Sequence, residues 1–209
     1  MEDGSMQREY ERLVEEIKSC TKCPLHKSRK NAVPGEGPVT ARIMVIGEAP
    51  GRREDEMGRP FVGQAGKLLN RLLEKAGLKR EEVYITNIVK CRPPGNRDPR
   101  QEEINSCIPY LIRQVELIHP EFIIIVGRIA GQTLYTLSGL KWKGIRMARR
   151  RQITIKIGGN NIKAVVTYHP AAALYNANLL EELEEDFSWI GELLNKQVKG
   201  GRKTLEDFL

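Results

Sequence analysis

Short apolar runs separated by polar stretches predict the strands of this chain. Residues 43–46, IMVI, form a continuous apolar run, which is typical of a parallel strand covered on both faces. The stretches VYITNIV and FIIIVG, which begin at Val83 and Phe122, predict two further strands. The sequence QITIKIGGNNIKAVVTYHP predicts a hairpin that turns at Gly158 to Asn161, and its second arm continues as the last strand.

Apolar residues at helical spacing predict helices between these strands. The first amphipathic helix is predicted to end near Cys20, and its apolar positions are Tyr10, Leu13, Val14 and Ile17. A second apolar stripe, from Leu68 to Ala76, predicts a helix that Gly77 terminates. Further helices are predicted in EEINSCIPYLIRQVELI, with an interruption near Pro109, in RIAGQTLYTL, and from Leu179 to Leu194.

The alternation of strands and helices predicts an α/β sandwich around a short parallel sheet. In such sheets, ligands bind beyond the carboxyl ends of the strands. Three polar residues follow or end predicted strands, namely Glu48, Asn87 and His169. Their shared placement is the first indication of a functional site.

Composition adds domain count and charge to this picture. The 209 residues, 40% of them hydrophobic, fit one domain, predicted over residues 1–199 and followed by a flexible tail at 200–209. No apolar run approaches the roughly 20 residues that span a bilayer, which predicts a cytoplasmic, nucleoid-associated protein. The net charge of +7 is concentrated in residues 90–100 and 141–151. Such clusters suit a polyanionic partner, although solvated loops explain them equally well.

The four cysteines form one candidate metal-binding set. Cys20 and Cys23 make a C-x2-C pair, and Cys91 and Cys107 are separated by 15 residues. Structural disulfides are not expected in a cytosolic chain. Zinc and a [4Fe-4S] cluster both take four thiolates, and the wide second spacing favours the cluster only slightly. The alternative to metal binding is that the cysteines are unligated core residues. Lys22 and Pro24, which are residue types usually found at the surface, argue against a core position for Cys20 and Cys23.

Several motifs together resemble the family 4 uracil-DNA glycosylases of thermophilic bacteria and archaea. They are GEAPG at residues 47–51, GRPFVGQAGKLLN at 58–70, TNIVKCRPPGNRDP at 86–99 and HPAA at 169–172, along with the four cysteines. The resemblance implies a three-layer α/β/α sandwich around a four-stranded parallel sheet. It also implies that the cysteines hold a [4Fe-4S] cluster, and that the protein flips uracil out of DNA and releases it, leaving an abasic site.

The resemblance assigns roles to the pocket residues. His169 is similar to the histidine that binds uracil O2, where negative charge collects as the base departs. Asn87 matches the asparagine that recognises the base, and Phe61 matches the aromatic residue that stacks on it. The backbone of Gly47, Glu48 and Ala49 is expected to contact uracil. Taken alone, Asn87 would be a turn residue and Phe61 a core residue.

Glu48 occupies the position at which related families differ. The best-known uracil-DNA glycosylases have a catalytic aspartate at the place of Ala49 and a thymine-excluding tyrosine at that of Gly51, and both are absent here. Glu48 is the nearest ionisable group that could assist water attack, and a role in shaping the pocket is equally consistent. A related iron-sulfur family with broader substrates has an apolar residue at this position, so Glu48 favours uracil specificity.

Two further segments are predicted to contact partners. Arg92, Asn96 and Arg97 follow Cys91 and are expected to face DNA. The tail GGRKTLEDFL resembles the motif that binds the PCNA sliding clamp. Its hydrophobic contacts would be Leu205, Phe208 and Leu209, although Arg202 replaces the usual glutamine. The alternative is a helix end that packs on the domain.

Two other functions compete with uracil excision. A glycosylase of the related iron-sulfur family would also remove hypoxanthine or other deaminated bases. A non-catalytic iron-sulfur module that binds nucleic acid, such as the domain attached to some phage polymerases, would need no catalytic residues. The presence of Glu48, Asn87 and His169 together argues against such a module.

Overall fold

A sheet of four parallel strands and one antiparallel strand lies at the centre of the computed structural model, which describes residues 3–200, with side chains from 4 to 196. The strand order is β2-β1-β3-β5-β4, and only β4 runs antiparallel to its neighbour. The strands are β1 (Ile43–Gly47), β2 (Val83–Asn87), β3 (Phe122–Val126), β4 (Ile153–Ile157) and β5 (Asn160–Thr167). The prediction of four strands is corrected to five, because the first arm of the predicted hairpin joins the edge of the sheet as β4.

Eight α-helices lie within residues 3–200. They are α1 (Asp3–Ser19), α2 (Arg52–Met57), α3 (Gln64–Lys75), α4 (Gln101–Ile118), α5 (Arg128–Leu137), α6 (Ile145–Ala148), α7 (Pro170–Ala173) and α8 (Ala177–Gly200). Short 3-10 turns occupy Pro24–Lys27, Arg80–Glu82 and Pro94–Asn96. No helix in this part of the chain is long and apolar enough to cross a membrane.

Helices cover both faces of the sheet because successive strand residues point to opposite sides. In β1, Met44 and Ile46 pack into a core with α1, α4 and α5, while Val45 packs into a second core with α3 and α8. Helix α7 joins the second layer through its contacts with α3 and α8. The predicted three-layer sandwich is confirmed.

The end of α3 and the course of α4 can be compared with what the sequence predicted. Helix α3 ends just before Gly77, whose φ of 76° is the left-handed conformation that terminates helices. The predicted interruption at Pro109 is wrong, because α4 continues through it from Gln101 to Ile118. Pro109 lies on the exposed side of α4, where water can bond the carbonyl oxygen that the missing N–H leaves unpaired.

The strand order places the loop after β1 at the point where a ligand is expected. The chain passes from β1 to β2 on one side and then to β3 on the other, so a crevice forms at the carboxyl end of β1. Gly47 pairs in register with Asn87 at this end. The clamp-binding residues predicted in the tail, Leu205, Phe208 and Leu209, lie outside the described residues.

Candidate functional site

A pocket of about 250 Å³ opens at the carboxyl ends of the parallel strands. Glu48 and Ala49 come from the loop after β1, Asn87 ends β2, and His169 follows β5 by two residues. These residues line the pocket together with Phe61. A larger cavity of about 820 Å³ lies at the opposite edge of the sheet, near the amino ends of the strands, and no predicted site residue lines it. The 250 Å³ pocket is therefore the candidate site.

Gly47 lies next to two side chains of the pocket, those of Asn87 and Phe61, and its missing side chain leaves space for them. A Cβ atom at Gly47 would lie 2.4 Å from Asn87 Oδ1 and 2.6 Å from Phe61 Cζ. Both distances are shorter than atoms tolerate, so any side chain at this position would displace Asn87 and Phe61. The predicted contact residue Gly47 thus acts through the close approach that its missing side chain permits.

Asn87 carries the one buried side-chain polar atom that has no hydrogen-bond partner among the described residues. The residue is 1% exposed, and the unpaired atom is Oδ1. The backbone beside it is fixed, because the amides of Ile88 and Val89 donate to the carbonyl oxygens of Gly47 and Glu48 at 2.9 and 3.1 Å. An unpaired buried acceptor costs about 1–3 kcal/mol, so this oxygen in a pocket wall indicates a ligand that donates a hydrogen bond.

His169 is held as a neutral hydrogen-bond donor. It caps the amino end of α7, where its Nδ1 accepts a bond from the Ala171 amide at 3.1 Å. Since Nδ1 accepts, the proton of the neutral ring is on Nε2, which is left to donate. Burial lowers the pKa of His169 to about 4, although the negative charge of Glu54 acts in the opposite direction. The ring is therefore uncharged near neutral pH.

Phe61 has a strained backbone that aims its ring at His169. Its φ of 49° lies in the left-handed region, which a bulky residue adopts at a cost of about 1–3 kcal/mol. Arg80 holds this conformation by donating to the carbonyl oxygens of Pro60 and Phe61 at 2.7 and 3.1 Å. The rings of Phe61 and His169 stack with centroids 5.4 Å apart. Such strain concentrates at functional sites, which favours a role for Phe61 beyond core packing.

The carboxylate of Glu48 is hydrogen-bonded to the amino end of α5. Its Oε1 accepts a hydrogen bond from the Ile129 amide at 2.9 Å. A Cβ at Gly127 would lie 2.4 Å from the same oxygen, so glycine is needed there for this approach. Burial raises the pKa of Glu48, the charge of Asp98 raises it further, and the bond from Ile129 lowers it. The backbone N–H of Arg128 and its positive charge lower the pKa of the carboxyl as well, and Glu48 as a whole lines the pocket.

Glu54 also lines the pocket, although no motif or periodicity in the sequence singles it out. Its Oε1 accepts from the amides of Val62 and Gly63, both at 2.8 Å, and its Oε2 lies 2.9 Å from the position of a Cβ on Gly51. The neighbouring Asp55 is buried instead and binds the amides of Lys30 and Asn31. The run REDE at residues 53–56 has three acidic residues in a row, and the sequence alone does not tell which of them lines a pocket, is buried or is exposed.

The predicted DNA-binding residues lie in the loop that borders the pocket. Asn96 and Arg97 line it, and Arg92 Nε donates to Asn96 Oδ1 at 2.7 Å. Arg97 forms two hydrogen bonds, at 2.9 and 2.7 Å, with Glu103, which is fully buried. The guanidinium of Arg97 is thus bound to a carboxylate of the protein itself, so its main contact holds the loop against α4.

The basic segment at residues 141–151 has both internal and exposed charges. Arg149 binds the buried Asp186 through two nitrogens, at 3.1 and 2.8 Å, and Thr167 Oγ1 donates to the same carboxylate at 2.6 Å. Arg149 therefore braces the end of β5, which leads into His169. Arg150 is exposed but pairs with Glu185 at 3.2 Å. The other exposed basic residues of this segment, which can contact an outside partner, are Lys141, Lys143, Arg146 and Arg151.

All four cysteines line one small cavity between α1, α4 and the segment after β2. Three N–H groups donate to their sulfur atoms: Arg29 Nη1 to Cys91 at 3.0 Å, the Lys90 amide to Cys107 at 3.3 Å, and the Lys22 amide to Cys20 at 3.5 Å. Burial raises the pKa of Cys107 to about 11. Within the described residues, no group of three or more His, Cys, Asp or Glu is placed to hold a metal ion.

Comparison with known proteins identifies the family. Residues 34–190 match the family model of the uracil DNA glycosylase superfamily. A type-4 uracil-DNA glycosylase of Saccharolobus solfataricus is 51% identical over 198 residues, which are 94% of this chain and 90% of the relative. Those of Archaeoglobus fulgidus and Sulfurisphaera tokodaii are 49% and 48% identical, over 94% and 95% of this chain and 97% and 90% of the relatives. With a matching family model and relatives that share about half of their residues with it over at least nine-tenths of each chain, this chain belongs to the type-4 family of the uracil DNA glycosylase superfamily.

Proposed function

We propose that this protein is a monofunctional uracil-DNA glycosylase, which hydrolyses the bond between uracil and deoxyribose and leaves an abasic site that starts base excision repair. The observation that carries this proposal is the unpaired Oδ1 of Asn87 in a pocket that also holds a neutral histidine. A flat base with one N–H donor between two carbonyl groups complements this arrangement, and uracil has that pattern.

Asn87 selects uracil against cytosine. The N3–H of uracil donates to Asn87 Oδ1, and the amide Nδ2 donates to uracil O4. Cytosine has an acceptor at N3 and a donor at its exocyclic nitrogen, so the same amide would face each group with the wrong partner. A site that leaves buried polar groups unpaired rejects the wrong ligand strongly. The ring of Phe61 stacks on the base once the nucleotide has flipped out of the duplex.

His169 stabilises the departing base. When the bond from N1 to C1′ breaks, its electron pair stays on uracil and the sugar becomes an oxocarbenium ion. Nε2–H of His169 donates to O2, where part of this charge collects. A neutral donor fixed in place before the reaction needs no rearrangement as the charge develops.

Glu48 positions the water that completes the reaction. The backbone N–H groups of Ile129 and Arg128 hold the carboxylate in place, and its remaining lone pairs can accept a hydrogen bond from water. The water oxygen forms the new bond to C1′, and its proton passes to the carboxylate and then to solvent. The raised pKa of Glu48 brings the carboxylate closer to the basicity that proton transfer near neutral pH requires.

Glu54 excludes thymine. Thymine differs from uracil by one methyl group on C5, so a group that fills the space beside Gly51 would discriminate between them. Glu54 Oε2 fills this space, and the bonds from Val62 and Gly63 hold the side chain rigidly. A carboxylate from α2 thus replaces the bulky side chain that Gly51 lacks.

Glu54→Ala should raise thymine release from G·T duplexes relative to uracil release by about 10- to 100-fold. The substitution opens space for the C5 methyl group of thymine, and discrimination by one such group is of this size. Glu54→Gln is the matched control, since the amide keeps the volume and can accept the same backbone bonds. The measurement is single-turnover release of each base from otherwise identical duplexes. A thymine-to-uracil ratio that does not differ between the alanine and glutamine variants would remove the assigned role of Glu54.

The positive charge of the chain provides affinity for DNA. Contacts from Lys141, Lys143 and Arg146 with phosphates would release counterions, so affinity falls steeply as salt rises. We also propose that the tail residues Leu205, Phe208 and Leu209 bind a sliding clamp, which would bring the enzyme to replicating DNA.

Cys20, Cys23, Cys91 and Cys107 hold a [4Fe-4S] cluster in this proposal. The donor set fits: four thiols line one cavity, and N–H groups from Arg29, Lys90 and Lys22 point at sulfur, as they do around thiolates. A tetrahedral zinc site needs Zn–S bonds of about 2.3 Å, which requires sulfur atoms within about 4 Å of one another. Cluster thiolates each bind a different iron and stand farther apart. When bound, the cluster supplies a rigid anchor for the loop that follows Cys91.

The purified protein should be brown and contain about four iron and four sulfide ions per chain. Replacing the buried Cys107 with serine should remove most of the iron and lower the melting temperature, since the loop after Cys91 loses its anchor. The measurement is metal analysis with visible absorption. A colourless protein with zinc and no iron would contradict the cluster.

The proposed function is tested by incubating the protein with a labelled oligonucleotide that contains one uracil, followed by alkali. Strand breakage at uracil after alkali, and none before it, is expected of a monofunctional glycosylase. An absence of breakage at uracil would overturn the proposal. Breakage at inosine as strong as that at uracil would support the broader-specificity alternative.

A further inference from the structure

Lys90 is buried between the pocket and the cysteine cavity. It is 1% exposed, and its Nζ lies 2.7 Å from each of three acceptors, namely Thr86 Oγ1, the Asn87 carbonyl oxygen and Gln114 Oε1. A lysine without solvent is rare, because burying a charge is costly unless every bond it can make is formed. Lys90 has no place in the mechanism above, so its burial needs another explanation.

The surrounding hydrogen bonds fix Lys90 as a three-fold donor. Thr86 Oγ1 donates its own proton to the Pro34 carbonyl oxygen at 2.7 Å, so it accepts from Lys90. Gln114 Nε2 donates to Pro34 and to the Tyr84 hydroxyl, both at 2.8 Å, so Gln114 presents its oxygen to Lys90. The third partner is a backbone carbonyl. Three acceptors converge on one nitrogen, and the ammonium group has the three protons that satisfy all of them.

One of these bonds reaches the residue that recognises the base. Asn87 ends β2, and its carbonyl carbon is bonded to the Cα that carries the recognising side chain, so the bond from Lys90 restrains the position of that Cα. On the other side, the Lys90 amide donates to Cys107 Sγ at 3.3 Å, and the Lys90 carbonyl accepts from Val33 at 2.7 Å. The next residue is Cys91. Lys90 is therefore tied to the pocket by its side chain and to the cysteine cavity by its backbone.

We propose that Lys90 is a positioning residue, which holds Asn87 in the orientation that recognises uracil and links that orientation to the cysteine cavity. The inference rests on the proposed function, since it takes Asn87 as the residue that binds the base. Lys90 does not touch the base. It acts by fixing the Asn87 peptide, so that Oδ1 meets the N3–H group without rearrangement.

Lys90→Met tests this inference, because methionine keeps the length of the side chain and removes all three donors. The variant should release uracil about 10- to 100-fold more slowly per iron-loaded chain, and free uracil should bind about 10-fold more weakly by calorimetry. Affinity for DNA with a stable abasic-site analogue should stay within about twofold. A purely structural role would lower the melting temperature and leave uracil affinity per folded chain unchanged, which would overturn the inference.

A double-mutant cycle shows whether Lys90 acts through Asn87. In an Asn87→Ala background, Lys90→Met should reduce the release rate by less than about twofold, since the group it positions is gone. Additive losses would contradict the proposal. Thr86→Val is the matched control: it removes one acceptor of Lys90 and leaves the bond to the Asn87 carbonyl, so uracil affinity should stay within about twofold of wild type.

The test separates this inference from the proposed function. If the wild-type protein does not release uracil, the proposed function fails. If it does, and Lys90→Met keeps wild-type uracil affinity and rate, only the role of Lys90 is overturned. Should Lys90→Met not fold with iron, the same cycle is run with Lys90→Gln, whose shorter amide does not supply the three donors and should show the same coupling to Asn87.

Discussion

Replacing His169 with alanine should lower the single-turnover rate of uracil release by about 100- to 1,000-fold, which is the usual loss when one fixed donor to a developing anion is removed. The ring presents Nε2–H because Nδ1 is held by the Ala171 amide. Since His169 contributes little to holding the duplex, affinity for uracil-containing DNA should stay within about threefold. Rates are measured with enzyme in excess over a labelled duplex.

His119→Ala provides the matched control for His169→Ala. His119 is also followed by proline but is exposed at the end of α4, away from the pocket, so its replacement should leave the rate within about twofold. Near-normal release by His169→Ala, with His119→Ala equally active, would remove His169 from the mechanism.

The protonation state of His169 provides a second check on the same role. Burial lowers its pKa from 6.5 to about 4. Between these values the unfolded chain binds a proton that the folded chain does not, so the stability contributed by the neutral ring is complete above about pH 6.5 and is lost as pH falls towards 4. An NMR titration should show a neutral imidazole from pH 6 to 8. A transition of His169 near pH 6.5 would contradict the neutral donor.

Asn87→Ala should reduce uracil release by about 100-fold or more, because it removes both hydrogen bonds to the base and leaves the N3–H group without its partner. Asn87→Asp should change specificity as well as rate. A carboxylate repels uracil O4 but accepts from the exocyclic amino group of cytosine, so weak release of cytosine is expected. The measurement is release from duplexes that carry uracil or cytosine at the same position.

Asn105→Asp is the control for the charge that Asn87→Asp introduces. Asn105 is exposed on α4, where its Oδ1 accepts a hydrogen bond from Gln101 Nε2, so the same substitution there should change neither rate nor specificity measurably. If Asn87→Ala retained at least a tenth of wild-type activity, or if Asn87→Asp and Asn105→Asp behaved alike, the unpaired Oδ1 would not be the base-recognition group.

Periodicity in the sequence predicted much of the fold, for reasons visible in particular elements. The run at residues 43–46 contains no polar residue, which is what a strand covered on both faces requires, and it forms β1 with side chains in both cores. The apolar stripe from Leu68 ended at Gly77 as expected. Two details depended on surroundings that the sequence does not encode locally. Strand β4 joined the sheet because the edge of β5 was unpaired, and α4 continued through Pro109 because the affected carbonyl faces solvent.

The polar residues at strand ends could be grouped from the sequence because parallel strands bring their carboxyl ends together. Glu48, Asn87 and His169 line one pocket for this reason. Glu54 and Lys90 could not be found in this way. Glu54 lies in α2, where the neighbouring acidic residues have other roles. Lys90 precedes a basic loop, so from the sequence it would be taken for an exposed surface lysine. Only the contacts with Val62 and Gly63, and with Asn87 and Gln114, distinguish them.

A crystal structure of the protein with free uracil is the measurement that tests the central claim most directly, because that claim concerns which atoms meet. We expect uracil stacked on Phe61, with its N3 about 2.9 Å from Asn87 Oδ1 and its O2 at a similar distance from His169 Nε2. Uracil bound elsewhere, or bound in the pocket with Asn87 Oδ1 still unpaired, would contradict the account.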